Sequence, residues 1–217
     1  MQIHHLSENN SILNHFLGQI RDVNIHNDSL RFRKNMERIG EIMAYELSKN
    51  LEYQNTAITT PLGTKPTHYI KNPLVICSIL RAGLTLHNGF LNYFDTAENG
   101  FISAYRHHPN NDDFFEIIVQ YQAVADINNK TVVVVDPMLA TGQSIVAVYN
   151  RLMERGTPAE IHIAVVIAAP EGIAHLEAEL PDTCHLWIAS IDDHLNEHSY
   201  IVPGLGDAGD LAYGQKL

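Results

Sequence analysis

Cysteine and long apolar runs are both scarce in this sequence of 217 residues. The two cysteines, Cys77 and Cys184, each lie in a strand-like apolar stretch, so we expect buried reduced thiols, as in a cytoplasmic protein. The longest apolar run, residues 163–169, is much shorter than the roughly 20 residues that a membrane-spanning helix needs. The first ten residues contain neither a basic cluster nor an apolar stretch, and we expect no secretory signal.

Basic residues are also few: 14 Lys and Arg against 25 Asp and Glu give a formal net charge of −11. A protein that binds a nucleic-acid backbone usually presents a basic face, so we expect no nucleic-acid partner. A small anionic ligand is not excluded, because a few arginines in one pocket reverse the local field. Hydrophobic residues make up 45% of the chain, enough for a sizeable core. The length suits one α/β domain or one domain with an appendage, and we predict a single domain over residues 1–217.

The hydrophobic pattern divides the chain into four parts. Helical spacing predicts N-terminal helices in residues 11–50, with Asp28 and Ser29 at the start of the longer one, and His4 and His5 are assigned to a disordered end. A small β-arm is predicted in residues 52–72. Strands and helices then alternate through residues 73–189, which indicates a doubly wound parallel sheet. The strands are predicted at 74–79, 101–105, 115–121, 131–136, 161–168 and 184–189, and the helices at 84–94, 144–155 and 172–180. Residues 190–217 are glycine-rich and are predicted to form a cap.

The segment 132–152 concentrates the chemistry. A buried strand delivers Asp136 at its carboxyl end, where ligands bind in open α/β sheets. The following loop, residues 139–144, offers backbone N–H groups, two hydroxyls and a helix N-terminus, which together suit a phosphate. The loop lacks the lysine and the spacing of a Walker A motif. The alternative is an ordinary strand–turn–helix corner in which Thr141 and Ser144 only cap the helix.

Three charged residues follow predicted strands and need partners. Asp136 would accept hydrogen bonds from two ribose hydroxyls, or else pair with a structural arginine. Arg81, in the stretch SILRAGL, follows a buried strand beside Ala82 and Gly83, and its guanidinium suits bidentate contact with phosphate. Arg106 follows Tyr105 at another strand end, before the loop HHPNNDD that we expect to fold over the site.

These segments resemble those of a known family. DPMLATGQS (136–144) closely resembles the phosphoribosyl diphosphate (PRPP) loop of type I phosphoribosyltransferases, and DPMLAT resembles the form found in the uracil branch. Supporting matches are RFRKNMERIGEIMAYEL, ILRAGL, AAPEGI and the tail SIDDHLNEHSYIVPGLGDAGD, over residues 11–214. The resemblance implies a type I phosphoribosyltransferase fold, with a central parallel sheet flanked by helices, a C-terminal hood and a small β-arm.

The resemblance implies that uracil and PRPP react to give UMP and diphosphate, a step of pyrimidine salvage. Asp136 would bind the ribose hydroxyls, Arg81 and Arg106 would hold the diphosphate, and Asp207 would face PRPP and uracil, through water on Mg²⁺. The 5-phosphate would be wrapped by Pro137, Met138, Leu139, Ala140, Thr141, Gly142, Gln143 and Ser144. Backbone groups of Ile201, Gly206 and Ala208 would read uracil. Mg²⁺ would arrive on the PRPP phosphates, with no dedicated protein cage.

Several alternatives stay open at this point. The family usually has a small residue where this chain has Gln143, which is harmless if the position is helical and strained if it needs a positive φ. The tail PGLGDAGD would otherwise be a flexible surface turn. Rival functions are a phosphoribosyltransferase for another base, an RNA-binding regulator that senses PRPP or UMP, and an inactive scaffold. The N-terminal helices and the β-arm are predicted to form subunit contacts in a homodimer or larger homo-oligomer, and activation by GTP stays open.

Several polar clusters are interpreted as structural or solvated. The loop containing His107, His108, Asp112 and Asp113 is assigned to solvent rather than to a metal. No metal role is assigned to the pair His194 and His198. We also interpret Trp187 as a core residue, and Asp192, Asp193 and Glu197 as structural residues rather than general bases.

Overall fold

The computed structural model describes residues 1–107 and 116–216. Its core is a seven-stranded sheet with the order β1-β9-β8-β7-β4-β5-β6, in which every neighbouring pair is parallel except β5 and β6. The strands of this sheet are β1 (Gln2–His5), β4 (Leu74–Leu80), β5 (Glu98–His107), β6 (Glu116–Val124), β7 (Thr131–Leu139), β8 (Glu160–Ala168) and β9 (His185–Ile191). The α/β fold class predicted from the alternating pattern is confirmed.

Helices cover both faces of the sheet. They are α1 (Ile12–Arg21), α2 (Ser29–Ser48), α3 (Gly83–Leu91), α4 (Gln143–Met153), α5 (Pro170–Glu179) and α6 (Ala208–Tyr213). One hydrophobic cluster joins residues of α1, α2, α3 and α6 to the sheet, and the other joins those of α4 and α5 to it. The consecutive valines 132–135 of β7 are buried because this central strand is covered on both faces.

The β-arm is an antiparallel ribbon of β2 (Tyr53–Thr60) and β3 (Gly63–Ile70), as predicted. Most of its residues are exposed, and Leu62 at its turn is 100% exposed. The predicted use of this arm as a subunit contact stays a prediction. In the hood, the short strands β10 (His194–Leu195) and β11 (Ile201–Val202) pair antiparallel before α6 begins.

The prediction of a disordered N-terminal end is wrong. Residues Gln2–His5 form β1, which pairs in parallel with β9. The imidazole of His4 stacks on the Trp187 indole with 3.8 Å between ring centroids, and its Nε2 lies 3.3 Å from Nδ1 of His185. Trp187 is 2% exposed, which confirms that it is a core residue. Burial lowers the pKa of neighbouring His162 to about 3, so this ring stays neutral.

Several boundaries differ from those predicted. β7 continues three residues past Asp136 to Leu139, because the chain stays paired with β8 through Met138 and Leu139. Helix α3 ends at Leu91 rather than at residue 94, and β5 and β6 form a longer hairpin-like pair than the sequence indicates. In the part of the chain that the structure describes, no helix has the length and apolar character to cross a membrane.

Candidate active site

The predicted phosphate loop lies at the carboxyl end of β7. The strand ends at Leu139, and α4 begins at Gln143 after a turn at residues 140–142. Gly142 is the N-cap of α4 and has φ +82°, a conformation that favours glycine. No side chain caps this helix, so Thr141 and Ser144 are not the simple caps of the alternative interpretation. The first N–H groups of α4 are therefore available to an anion.

A cavity of about 180 Å³ lies beside this loop. Pro137 is buried and Gln143 exposed, and neither is among the lining residues. Gln143 is the first residue of α4, so the positive φ falls on Gly142 and the substitution at 143 causes no strain. The cavity is lined by Asp136, Met138, Leu139, Ala140, Thr141, Gly142, Ser144 and Ile145.

The Asp136 carboxyl is poorly solvated and only lightly hydrogen-bonded. The backbone N–H of Met138 donates to its Oδ1 over 3.2 Å. Burial raises the pKa of Asp136 to about 7, against the small opposing effect of that hydrogen bond. Among the side chains that the structure describes, no cation forms an ion pair with it, so the structural-arginine alternative is not seen. The carboxyl is left free to accept hydrogen bonds from a ligand.

Arg81 connects the end of β4 to the hood. Its Nη2 donates to Oδ1 of Asp210 over 2.8 Å and to the carbonyl of Gly214 over 3.3 Å. Its Nε is buried and has no hydrogen-bond partner among the residues that the structure describes. The sequence predicts Arg81 at the site but does not indicate a role for Asp210, the last residue of the PGLGDAGD motif. Arg81 thus lies between the two regions where phosphate and base are expected.

Arg106 is only partly described. Its backbone lies in β5, which confirms its place near a strand end, but its side chain lies outside the described part of the chain. The lid prediction for HHPNNDD, and the interpretation of His108, Asp112 and Asp113 as solvated, fall outside the described residues as well.

The hood is an ordered structure rather than a flexible turn. Ile201 and Ala208 are buried, while Gly206 and Asp207 are exposed. Gly204 and Gly206 have φ of +63° and +93°, which explains the glycines of this segment. Asp207 is the N-cap of α6, where its Oδ1 accepts the N–H of Asp210 over 2.9 Å.

Gly206 and Asp207 line a second cavity, of about 360 Å³, which also contacts the segment between α1 and α2. The loop after β7 and the hood therefore face different cavities, and Asp210, the ion-pair partner of Arg81, lines the second one. The other residues of this second cavity are His26, Asn27, Ser29, Leu205, Asp210, Leu211 and Gln215.

Two polar contacts hold the hood against the N-terminal helices. Arg33 of α2 donates to the carbonyl of Ala212 over 2.7 Å, and Arg21 of α1 forms an ion pair with buried Asp192. The structural interpretation of Asp192 is confirmed, whereas neither arginine was singled out from the sequence. The need for a cation at this place becomes visible only when the structure shows that Asp192 is buried, because a buried carboxylate without a cation is costly.

Comparison with known proteins shows the family of the chain. The model of the family described as "Uracil phosphoribosyltransferase" matches residues 7–215. A uracil phosphoribosyltransferase of Porphyromonas gingivalis is 50% identical over the full length of both chains. One from Pyrococcus furiosus is 35% identical over 213 residues, or 97% of this chain and 89% of that one.

Among solved structures, the AQ2163 protein of Aquifex aeolicus aligns with a TM-score of 0.87 at 29% identity, covering 98% of each chain. The residues that the family model matches, 7–215, include the loop after β7, the Arg81 segment and the hood. From these findings the chain belongs to the uracil phosphoribosyltransferase family and has the α/β fold of type I phosphoribosyltransferases.

Proposed function

We propose that the protein transfers the 5-phosphoribosyl group of PRPP to N1 of uracil, giving UMP and diphosphate in pyrimidine salvage. The observation that carries this is the family match over residues 7–215, which includes both the segment DPMLATGQS and the tail PGLGDAGD. The first segment lines a cavity of about 180 Å³, and the second contains glycines with positive φ beside a second cavity.

In this proposal the phosphate and ribose bind at the end of β7. The 5-phosphate contacts the backbone of the turn and the first N–H groups of α4, where the helix dipole favours an anion. The Asp136 carboxylate accepts hydrogen bonds from the two ribose hydroxyls. A charged hydrogen bond contributes about 1.5–3 kcal/mol, so this carboxylate would supply much of the affinity for PRPP.

The reaction exchanges one bond at the anomeric carbon. The bond from C1 of the ribose to the diphosphate oxygen breaks with its electron pair, N1 of uracil forms the new bond, and the N1 proton is released. Positive charge develops on the sugar and negative charge on diphosphate, so the site needs alignment and anion stabilisation more than a nucleophile. Arg81 and Arg106 are proposed to stabilise the departing diphosphate.

Uracil presents an acceptor, a donor and an acceptor along one edge. We assign the matching backbone groups to Ile201, Gly206 and Ala208, because glycine-rich backbone approaches a flat base closely. Asp207 lies next to them at the N-terminus of α6 and is proposed to face PRPP.

Mg²⁺ is the proposed cofactor. Within residues 1–107 and 116–216, no group of three or more His, Cys, Asp or Glu side chains is arranged to hold a metal ion. The separate carboxylates of Asp136 and Asp207 fit a cation that arrives on PRPP and keeps most of its waters. Bound in that way, Mg²⁺ would neutralise part of the diphosphate charge.

The quaternary structure and regulation are also proposals. We also propose a homodimer or a larger homo-oligomer of single-domain subunits in the cytoplasm, and the exposed β-arm supports the assembly. Light scattering after size-exclusion chromatography, with and without GTP, measures both the assembly and the suggested response to GTP.

A chromatographic assay with PRPP and Mg²⁺ tests the proposed reaction. Uracil, cytosine, hypoxanthine, adenine and orotate are offered separately, and we expect product only with uracil. Turnover of another base would keep the PRPP site and reject the assignment of the hood. PRPP binding without turnover of any base would favour a regulator.

A further inference from the structure

A buried ion pair between Arg21 and Asp192 lies where the chain leaves β9 and enters the hood. Asp192 follows β9 directly, and its side chain is 2% exposed. Arg21, the last residue of α1, approaches it with two nitrogens: Nη1 lies 2.7 Å from Oδ2 and Nη2 lies 2.5 Å from Oδ1. Such a bidentate pair fixes orientation as well as charge.

The same two side chains also hold the backbone of Gly204. The N–H of Gly204 donates to Oδ2 of Asp192 over 2.8 Å, and Nη1 of Arg21 donates to the Gly204 carbonyl over 2.9 Å. Both polar backbone groups of this buried residue are therefore satisfied by the ion pair. A third contact, from Nη2 of Arg21 to Oγ of Ser190 over 3.2 Å, ties the guanidinium to β9.

The backbone of Gly204 is closely packed. Its φ is +63°, and a Cβ placed there would lie 2.2 Å from the carbonyl oxygen of Ile201. The chain therefore passes Gly204 in close contact with Ile201 and reaches Gly206 two residues later. Ile201 and Gly206 are two of the residues whose backbone groups are assigned to uracil. The ion pair holds the short segment between them.

We propose that Arg21 and Asp192 are positioning residues for base recognition, acting through Gly204. The inference rests on the proposed function, because it assigns a consequence to the hood geometry of that same site. Neither side chain touches substrate in this proposal. They set the distance and direction of the backbone groups that read uracil, while the proposed 5-phosphate and ribose contacts are built on β7 and α4, away from this ion pair.

Substitution of Arg21 is expected to change the KM for uracil and not the KM for PRPP. In Arg21→Ala we expect the KM for uracil to rise by about 10²-fold, the loss typical of a misplacement of about 1 Å at a reacting group. The KM for PRPP should stay within about two-fold, because no contact of Asp136 or of residues 138–144 changes. Arg21→Lys retains the charge without the bidentate geometry, and its KM for uracil should lie between those of the wild type and Arg21→Ala.

A second variant distinguishes an effect of the ion pair on folding stability from its effect on the position of the hood backbone. Removing one partner of a buried pair leaves an unpaired charge, whereas replacing both with apolar side chains often restores stability. The double variant Arg21→Met with Asp192→Leu leaves the Gly204 N–H and carbonyl unpaired but contains no unpaired charge, so it should unfold at a higher midpoint than Arg21→Ala and still show the raised KM for uracil. Lys130→Gln, which breaks the Lys130–Glu98 ion pair away from the hood, is the matched control and should leave both KM values unchanged.

The wild type is assayed first with uracil and PRPP. If it forms no UMP, the proposed function fails and the kinetic comparison is replaced by uracil binding measured by calorimetry on the same variants. If the wild type forms UMP and Arg21→Ala keeps its KM for uracil, or raises both KM values equally, the positioning role is overturned. A double variant that regains the wild-type KM for uracil would overturn it too, since the pair would then act through stability alone.

Discussion

The loop after β7 and the hood differ in how far apart in sequence their contributing residues lie. The loop takes Asp136, the turn and the start of α4 from one uninterrupted stretch of chain, and its geometry depends on φ +82° at Gly142. The hood depends on partners distant in sequence: Arg21 and Asp192 are 171 residues apart, and Arg81 and Asp210 are 129 apart. A site built from consecutive residues is robust to changes elsewhere, whereas the hood depends on the packing of α1, α2 and β4.

The largest effect is expected at the loop, in Asp136→Asn. Affinity for PRPP should fall by about 10²-fold, because two charged hydrogen bonds of about 1.5–3 kcal/mol each are weakened. The same change should stabilise the fold at pH 8. Since burial raises the pKa of Asp136 to about 7, the folded state carries an ionised carboxylate at a cost of about 2 kcal/mol after allowance for its partial exposure.

The sign follows from proton binding. Between the unfolded pKa of about 4 and the folded pKa of about 7, the folded state binds more protons, so wild-type stability decreases as the pH rises. Denaturation should show Asp136→Asn as the more stable protein at pH 8 and the two as equal near pH 4. Asp126→Asn is the control, because hydrogen bonds from Asn128 lower the pKa of Asp126 and no stabilisation is expected. Calorimetry that shows unchanged affinity for PRPP would contradict the ribose assignment.

A second effect at the loop concerns pH and binding. In the wild type, affinity for PRPP should decrease by up to about ten-fold per pH unit below pH 7, as Asp136 becomes protonated and loses its acceptor charge. Asp136→Asn is the reference, because it retains the titration of the PRPP phosphates themselves. If both proteins gave the same pH profile by calorimetry, the carboxyl would not be the titrating group.

Gly142→Ala tests whether the loop is self-contained. A Cβ at φ +82° costs about 1–2 kcal/mol and would lie 3.1 Å from the Gly172 carbonyl oxygen. We expect the loop to shift so that this strain is relieved, which displaces the N–H groups that bind the phosphate and raises the KM for PRPP by about ten-fold, with the KM for uracil unchanged at saturating PRPP. Gly18→Ala is the matched control, since its added methyl has open space within α1. A rise in the uracil KM alone would show that the loop and the hood are coupled.

The smallest effect is expected at the hood, in Arg33→Met. Loss of the 2.7 Å hydrogen bond to the Ala212 carbonyl should cost about 1 kcal/mol, or roughly five-fold in the KM for uracil. Lys34→Met removes an exposed pair with Glu37 on the same helix and should change neither KM. Kinetics in which Arg33→Met raises the KM for PRPP instead would place this arginine at the other end of the site.

The difference between consecutive and distant residues also explains why the loop after β7 could be predicted from the sequence and the contacts of the hood could not. The valines before Asp136, the turn residues and the amphipathic α4 are local patterns, so the fold class and the loop follow from periodicity and turn chemistry. The hood was assigned through its family resemblance, but its anchors Arg21, Arg33 and Asp210 were not, because long-range pairing leaves no periodic signal. The same reason accounts for the N-terminal end, where His4 pairs across 181 residues with His185.

The docking of β1 gives the molecule an internal optical reporter. Trp187 is the one tryptophan of the chain, and the His4 imidazole covers its face at 3.8 Å. Indole emission depends on such a neighbour and on access of water, so detachment of β1 from β9 should change the fluorescence. The intrinsic fluorescence of the unlabelled protein therefore reports whether β1 is docked on β9. Because Asp192 directly follows β9, this is also the side of the sheet from which the hood begins.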